Sequence, residues 1–446
     1  MSNIAFENLI KDLSKKYDSE GLGMFKIGVS TERFSETISL GSPALDFMTY
    51  NSIPKGIFIE IAGPEASGKT TLAFLIAADF IKKEKKAKIK RDQYNAKVIA
   101  EWEEKCKIAT EKGKKLPPKP VTEDYEMKKI MFVDAEGTAD PVWAYKSAGY
   151  DMNDQEVQTL YVPNMGLPAE QLFDICIDAM RSGTIGLIIF DSLVAIAGKQ
   201  VNSESLEKVQ MGGIAVPLGN FVRRGTGVMN RFRTTFIGLN GIYMDPSGYG
   251  NPEKVGGGLA WKRACSLRLM TRRGKPFDIH GNELKETDKG AVGHPINVAL
   301  MKTKFCPWDR KLAQCTLNYT RGIDILQDTI DVARFFDIIQ EPSKGYFQVT
   351  DPETGEVLTE KIHGKDNVKP YFEEHKDVWR KVYDTVYEKM SVKDSPNAVS
   401  FEEMLGINLA EEFGQVLQDE IHAEDAPEID ETLSVFAGIE NAIVEQ

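Results

Sequence analysis

The chain has 446 residues and a hydrophobic content of 42%, enough for one large core and one or two smaller modules. Its five cysteines are widely spaced and form no CxxC or Cys/His cluster, which argues against a disulfide framework and a zinc site and indicates a reducing, cytoplasmic compartment. The formal charge of -12 does not exclude a nucleic-acid partner, because residues 394–446 contain 14 Asp or Glu and no Lys or Arg.

The N-terminal residues predict a short amphipathic helix over 2–17. Its apolar positions recur near helical spacing at Ile4, Phe6, Leu9, Ile10 and Leu13. A helix of this length is marginal by itself, so we expect it to pack on another surface. No basic and apolar leader precedes it, and Asp191 and Ser192 interrupt the longest apolar run, so we predict neither export nor a membrane span.

A glycine-rich turn separates the apolar, strand-like run 56–62 from a helix-like run that begins at Thr71. Such a turn brings many backbone N–H groups onto a polyphosphate. Lys69 can reach the β and γ phosphates, and the Thr70 hydroxyl can ligate a magnesium ion. The pattern predicts an ATP site formed by Gly63, Pro64, Glu65, Ala66, Ser67, Gly68, Lys69, Thr70 and Thr71.

A charged insertion, residues 82–128, follows the predicted P-loop helix. Residues 81–120 contain 14 Lys or Arg against 6 Asp or Glu. The charge alone leaves two interpretations open, a solvated helix face and a surface that faces DNA.

Continuous apolar strands alternate with helical segments through the rest of the first three quarters of the chain. We predict strands at 130–133, 159–162, 185–190, 235–239, 266–270 and 296–300. This pattern is typical of an α/β fold with a mostly parallel central sheet covered on both faces. We predict an N-terminal helix and linker (1–34), this core (35–325), a small C-terminal α+β module (326–393) and an acidic tail (394–446).

Ligands of open α/β sheets collect at the carboxyl ends of the strands, where several acids follow predicted strands. Asp191 follows 188–190 and could hold magnesium through water, although a buried structural role is an alternative. Glu136 follows 131–133 and is our candidate general base. Beyond it, Asp140 could accept from an adenine amino group and Trp143 could stack on the base, unless Trp143 is simply a core residue.

These motifs, in this order, resemble the RecA recombinases over residues 1–345. The resemblance rests on the P-loop, on 132–136, on Asp140-Pro141, on 188–192, on Met211-Gly212, on 250–258 and on Lys302-Thr303-Lys304. It implies a RecA-like P-loop core. The long insertion and the segment from Gly345 to Glu356 look more like the phage-type, UvsX-like branch.

The resemblance implies a DNA-dependent ATPase that polymerises as a helical filament on single-stranded DNA and exchanges strands with homologous duplex DNA. ATP, with Mg²⁺, would lie between protomers, and the N-terminal amphipathic helix of segment 1–34 would pack on the core of the neighbouring protomer. Lys302 and Lys304 match the lysine pair that reaches the γ phosphate across this interface. The family also admits a mediator or single-strand-binding protein as partner, and a bacterial cytoplasmic location.

Two loops match the DNA-binding loops of the family. Glycine N–H groups, aromatic wedges and arginine charge suit sequence-tolerant binding to DNA, although glycine-rich loops are often simply mobile. The first loop is 198–213 and the second is 241–258. The DNA-binding candidates are Met211, Gly212, Gly213, Arg223, Arg224, Tyr243, Met244, Tyr249, Gly257 and Gly258.

The chain departs from bacterial RecA at the start of the second loop. The family has Asn-Gln there, and its glutamine senses the γ phosphate, whereas this chain has Asn240-Gly241. We keep Asn240 as a candidate ATP contact. Two other functions remain open: a RecA-fold ring helicase or DNA translocase, and a regulatory protein that uses ATP as a switch.

Overall fold

A computed structural model of the chain describes residues 3–18, 36–196, 213–244, 253–351 and 354–390. The strands are β1 (Phe58–Gly63), β2 (Lys129–Asp134), β3 (Thr159–Pro163), β4 (Ile185–Asp191), β5 (Thr235–Met244), β6 (Glu253–Val255), β7 (Leu267–Arg273), β8 (Gly293–Thr303), β9 (Leu312–Asn318), β10 (Gly322–Ile323), β11 (Ile339–Ser343), β12 (Tyr346–Val349) and β13 (Ile362–His363). The helices are α1 (Asn3–Tyr17), α2 (Pro43–Met48), α3 (Lys69–Glu111), α4 (Pro141–Ala148), α5 (Ala169–Arg181), α6 (Ala215–Phe232), α7 (Gly258–Ala264), α8 (Ile325–Phe335), α9 (Val368–Glu374) and α10 (Lys376–Lys389). Within these described ranges, none of the helices combines the length and apolar character that a membrane span requires.

Ten strands form one sheet in the order β10-β9-β8-β7-β1-β5-β4-β2-β3, with β6 paired to the outer end of β5. The pairings from β7 to β3 are all parallel, and β8 to β10 extend the sheet with antiparallel pairings. Every residue of β1 and β4 is buried, as expected for parallel strands with helices on both faces. The predicted α/β fold with a mostly parallel sheet is confirmed.

Alternate residues of the central strands divide the core into two layers. Ile59 and Ile61 of β1 belong to an apolar cluster that includes α3. Phe58, on the other face of the same strand, belongs to a cluster that includes α5, α6 and α7. The helix that follows the P-loop and the helices that flank the predicted DNA loops therefore pack on opposite faces of the sheet.

The C-terminal part of the described chain is a small module with its own core. The antiparallel sheet β11-β12-β13 packs with α8, α9 and α10 around a separate apolar cluster that includes Ile330, Phe347, Phe372 and Val386. The predicted α+β character of this region is confirmed, whereas the exact boundaries of the four predicted segments stay a prediction.

Two buried carboxylates join this module to the main core. Ser42 donates a hydrogen bond to Asp328, the first-turn acid of α8. Asp46 of α2 accepts from the Tyr387 hydroxyl of α10 at 2.8 Å. Burial raises the pKa of Asp328 to about 7 and that of Asp46 to about 6. The contact between core and module therefore contains acids that are easier to bury when protonated.

We predict that Asp328→Asn reduces the pH dependence of stability. The pKa of Asp328 in the folded chain, about 7, lies above the usual unfolded value of about 3.9. Folding therefore takes up a proton between these values, and its contribution is present at low pH and lost as pH rises towards 7. The amide keeps an acceptor for Ser42 without the charge.

The measurement is the free energy of unfolding from denaturant titrations at pH 5 and pH 8. The parent chain should lose about 3 kcal/mol more than Asp328→Asn over this range. The exposed Asp366→Asn serves as the control and should behave as the parent does. An Asp328→Asn chain with unchanged pH dependence would contradict the assignment.

Candidate nucleotide and DNA site

The P-loop joins β1 to α3 and contains two glycines, each needed for a different structural reason. Gly68 precedes α3 with φ of 89°, a left-handed conformation that glycine adopts without strain. A Cβ atom on Gly63 would collide with the hydroxyl groups of Ser67 and Thr271. These two hydroxyls lie 2.7 Å apart and are buried. The hydrogen bond between Ser67 and Thr271 therefore closes the turn against β7. The spacing of residues along the sequence does not predict this contact.

Lys69 lies over this turn. Its Nζ donates to the carbonyl oxygens of Gly63 at 3.1 Å and Pro64 at 2.7 Å. Burial lowers the pKa of Lys69, and the nearby carboxylates of Asp191 and Glu136 oppose this shift. The ammonium group is thus held where the backbone turn could receive a phosphate chain.

Thr70 and Asp191 meet at the carboxyl ends of β1 and β4. The Thr70 hydroxyl donates to Asp191 Oδ2 at 2.8 Å. The pKa of Asp191 is raised to about 6, chiefly by burial and also by the neighbouring Glu136 and Asp134, while Thr70 and Lys69 oppose the shift. A site with this excess of carboxylates over cations fits a divalent metal ion.

The described parts of the chain contain no group of three or more His, Cys, Asp or Glu side chains that could hold a metal. Magnesium at this site would therefore depend on Thr70, on Asp191 and on the oxygens of the nucleotide itself, as is usual for this ion.

Glu136 lies in the turn after β2, and its side chain is exposed at the edge of the site. The Ser192 hydroxyl donates a hydrogen bond to Glu136 Oε1. The turn itself is built by Asp134, which accepts from the backbone N–H groups of Gly137, at 2.8 Å, and of the two residues that follow. Sequence analysis assigned no role to Asp134, although an acid at a strand end can build a turn by accepting from the backbone N–H groups that follow it.

Asp140 and Trp143 have structural contacts in the described chain. Asp140 caps α4, with its Oδ1 accepting from Val142 N at 2.8 Å. Trp143 is partly buried and packs against the apolar cluster of α3. The alternative of a core role therefore has a contact in its favour, and the adenine contacts of both residues stay a prediction.

Asn240 belongs to a buried network around Glu60 of β1. The Asn240 amide nitrogen donates to Glu60 Oε1 at 3.1 Å and to the Gly256 carbonyl at 3.2 Å. Glu60 also accepts from Trp261 Nε1 at 2.6 Å and from Arg268 Nε at 2.5 Å. Asn240 Oδ1 is buried without a partner among the described residues. Sequence analysis missed Glu60. The sequence feature that could have indicated it is a charged residue between two isoleucines of a predicted buried strand.

Lys302 and Lys304 lie at the far end of the sheet from the P-loop of the same chain. Thr303 pairs with Leu267 of β7, which pairs with Ile59 of β1. Gly63, where the P-loop begins, comes four residues after Ile59, so it lies about 13 Å further along the strand direction than Thr303. Lys302 donates to the carbonyl oxygens of residues 262 and 263 at the end of α7, at 2.8 Å and 2.9 Å. Burial and the neighbouring Lys304 lower the pKa of Lys302.

The structure separates the DNA-binding candidates into three groups. Tyr243 and Met244, 56% and 66% exposed, lie on the outer end of β5 and pair with β6. Gly257 and Gly258 have positive φ and lie where α7 begins, and Gly213 precedes α6. Met211, Gly212 and Tyr249 lie outside the described residues.

Arg223 and Arg224 form the third group, on the exposed side of α6. Both arginines lie about 12 Å along the helix axis from Ala215, the first residue of α6. Arg224 forms an ion pair with Asp174 of α5 at 2.6 Å, and Arg223 donates to Asn220 at 3.1 Å. Their DNA contacts stay a prediction.

The fold and this geometry define a P-loop nucleotide-binding protein built on a mostly parallel sheet. The sequence pattern of the RecA N-terminal domain matches residues 4–95 and 121–324. The chain therefore belongs to the RecA family, as its motifs predicted.

Individual relatives agree with this assignment. The chain is 29% identical to the protein RecA of a Nitratiruptor species over 90% of this chain and 97% of that protein. It is 27% identical to the protein RecA of Macrococcus caseolyticus over 87% and 91% of the two chains. Among solved structures, the RadB recombinase aligns with 16% identity and a TM-score of 0.40, over 64% of this chain and 98% of that chain. The family assignment depends on the sequence matches alone.

We predict that Glu60→Gln destabilises the fold and that Arg268→Met largely restores it. Removing the carboxylate leaves the Arg268 cation mostly buried without its partner, which costs about 3 to 5 kcal/mol in comparable cases. Replacing both partners removes the charges together.

A double-mutant cycle measured by chemical denaturation tests this prediction. The free energy of unfolding should be lowest for the single Glu60→Gln variant and higher for the double variant. Additive losses in the double variant would contradict a coupled pair.

Proposed function

We propose that this chain is an ATP-dependent DNA recombinase that assembles on single-stranded DNA and pairs it with homologous duplex DNA. The observation that carries the proposal is the placement of two half-sites at opposite ends of one sheet. The P-loop, Glu136 and Asp191 lie at the carboxyl end, and Lys302 and Lys304 lie at the other end. One chain cannot bring these groups together, but two chains stacked head to tail can.

In this proposal, ATP binds the turn 63–71 through backbone N–H groups and Lys69. Thr70 and Asp191 would hold Mg²⁺, which would neutralise part of the phosphate charge when bound. Glu136 takes the proton of the attacking water, and the Ser192 hydroxyl orients its carboxylate. Lys69 stabilises the charge that develops on the phosphate oxygens.

The lysine pair acts in the neighbouring protomer's site. Lys304 is exposed and free to extend, while Lys302 is held against the end of α7. A cation donated across an interface can accelerate phosphoryl transfer only after assembly, which would make turnover dependent on DNA. The exposed Phe6 and Leu9 of α1, at 49% and 51%, support a second contact with a neighbouring copy.

The DNA strand would bind the two loops after β4 and β5. Tyr243 and Met244 are apolar and exposed, which suits insertion between bases, and the glycines near α7 allow close approach to phosphates.

The lysine pair favours a filament over a closed-ring helicase, and Glu136 favours turnover over a pure ATP switch. Membership of the phage-type branch is part of the proposal.

Glu136→Gln should lower ATP turnover by a factor of about 10² to 10⁴, the usual contribution of a general base. Nucleotide binding and assembly on single-stranded DNA should remain, because the amide keeps the size of the side chain and an acceptor for Ser192. Phosphate release measures turnover, and electron microscopy with a slowly hydrolysed ATP analogue measures assembly. The exposed Glu104→Gln is the control, and full turnover by Glu136→Gln would exclude the assigned role.

Lys302→Ala with Lys304→Ala should remove the DNA-stimulated part of ATP turnover, on the order of a 10²-fold loss or more. The decisive measurement is a mixture of this variant with Glu136→Gln. At mixed contacts one protomer supplies Glu136 and its neighbour supplies the lysines, so two inactive proteins should regain part of the activity. Lys289→Ala with Lys311→Ala, two exposed lysines, is the control. A mixture no more active than its components would sink the head-to-tail arrangement.

A further inference from the structure

The outer part of α3 and the chain that follows it form an arm, residues 85–128. α3 has 43 residues, and Glu84 is the last that is buried. The remainder of the helix continues about 40 Å beyond the core. The RecA match stops at residue 95 and resumes at 121, so the outer arm is an addition to the family pattern.

The return segment of the arm, 112–128, packs along one face of the helix. Three helix side chains hold it through hydrogen bonds of 2.9 to 3.1 Å. Glu84 accepts from the Tyr125 hydroxyl and from the backbone N–H of Lys128. Asn95 donates to the Glu123 carbonyl oxygen, and Trp102 donates to the Pro117 carbonyl oxygen. Glu84, Asn95 and Trp102 are spaced so that they lie on one side of an α-helix. The arm therefore has a covered face and an open face.

A lysine stripe begins one turn before the arm and continues along its open face; we define it as Lys82, Lys86, Lys90 and Lys97, with Gln93 between the last two. At 100° per residue these positions lie within about 40° of one line and roughly opposite the covered face. All five side chains are exposed. The stripe is about 22 Å long.

Three other lysines near the core end of α3 have acidic partners, whereas three of the four stripe lysines have none among the described residues; Lys105 and Lys107, further out, have none there either. Lys83 pairs with Asp79 and Lys88 with Asp92, both at 3.3 Å. Within the described chain, the sole ion pair of the stripe is that of Lys97 with Glu101, at 4.0 Å. Like charges four residues apart, as at 82, 86 and 90, destabilise a helix by about 0.2 to 0.5 kcal/mol per pair. This arrangement is unfavourable unless an anion binds it.

The stripe is remote from the loops that would bind the single strand. α3 begins at the carboxyl end of β1 and the arm returns to the start of β2, which is the opposite end of the parallel sheet. The loops after β4 and β5 leave from the carboxyl end. A nucleic acid bound at the stripe would therefore be a different segment from the strand bound at the two loops.

We propose that the lysine stripe binds the phosphate backbone of duplex DNA, at a site separate from the two loops. A row of lysine charges along one side of a helix suits contact with the closely spaced phosphates of a duplex, which present one charge per 3.4 Å along each strand. The stripe itself consists of Lys and Gln; a single exposed aromatic side chain, Tyr94, lies at its edge, whereas sites for single strands stack successive bases on aromatic side chains. With its return segment attached, the arm is broader than the 12 Å major groove, so contact is to the backbone and independent of sequence.

The test uses the full chain with all four stripe lysines changed, Lys82→Gln, Lys86→Gln, Lys90→Gln and Lys97→Gln. The matched control changes four exposed lysines of the outer arm, Lys105→Gln, Lys107→Gln, Lys112→Gln and Lys114→Gln, with the same loss of charge. Binding to a fluorescent 30-base-pair duplex is measured over a range of salt concentrations without nucleotide. The stripe variant should bind on the order of tenfold more weakly at low salt, with the salt slope reduced by about 3 to 4.

Each alternative gives a different result. Equal losses in both variants would mean that total charge matters and not the stripe, which overturns the proposal. An equal loss of affinity for single-stranded DNA would overturn the preference for a duplex. Undiminished duplex binding would overturn the proposal and leave an acidic protein surface as the partner. Turnover of ATP with single-stranded DNA should be unchanged in both variants, so failure of the stripe proposal is separable from failure of the recombinase proposal.

Discussion

The buried carboxylate of Glu60 is the interaction on which the arrangement of the site depends. It joins β1 to β5 through Asn240, to α7 through Trp261 and to β7 through Arg268. A buried charge is tolerated only with such partners, so these elements keep fixed relative positions. The P-loop begins at the end of β1, and the second predicted DNA loop begins at the end of β5 and returns at Gly256. Both are therefore attached to the same buried group.

The same sheet places two groups of candidate site residues at its opposite ends. The nucleotide half-site lies at the carboxyl end, because the parallel strands β1, β2 and β4 all finish there. The antiparallel β8 runs the other way, so Lys302 and Lys304 finish at the opposite end. The arm leaves the core from that second end as well. A head-to-tail assembly would then bring one chain's lysines to its neighbour's nucleotide.

Residue 241 is a glycine where the resemblance to the family would place a glutamine. Gly241 has no side chain, and the amide nitrogen of the adjacent Asn240 binds Glu60 and Gly256 instead. The remaining polar atom, Asn240 Oδ1, is buried without a partner among the described residues. A buried acceptor of this kind is unfavourable until a donor reaches it. The Asn240 side chain is thus engaged by protein groups, and its contact with ATP stays a prediction.

The sequence by itself determined the local features, because each depends on residues that are adjacent in the chain. These are the phosphate-binding turn at 63–70, the buried parallel strands, the charged insertion and the family. The tertiary structure decided which distant groups meet. Glu60 and Arg268, or Thr70 and Asp191, contact each other only because of the strand order, and the lysine stripe becomes an open face only because residues 112–128 cover the other side of α3. Spacing along the chain carries no information on such contacts, since they depend on how strands and helices pack.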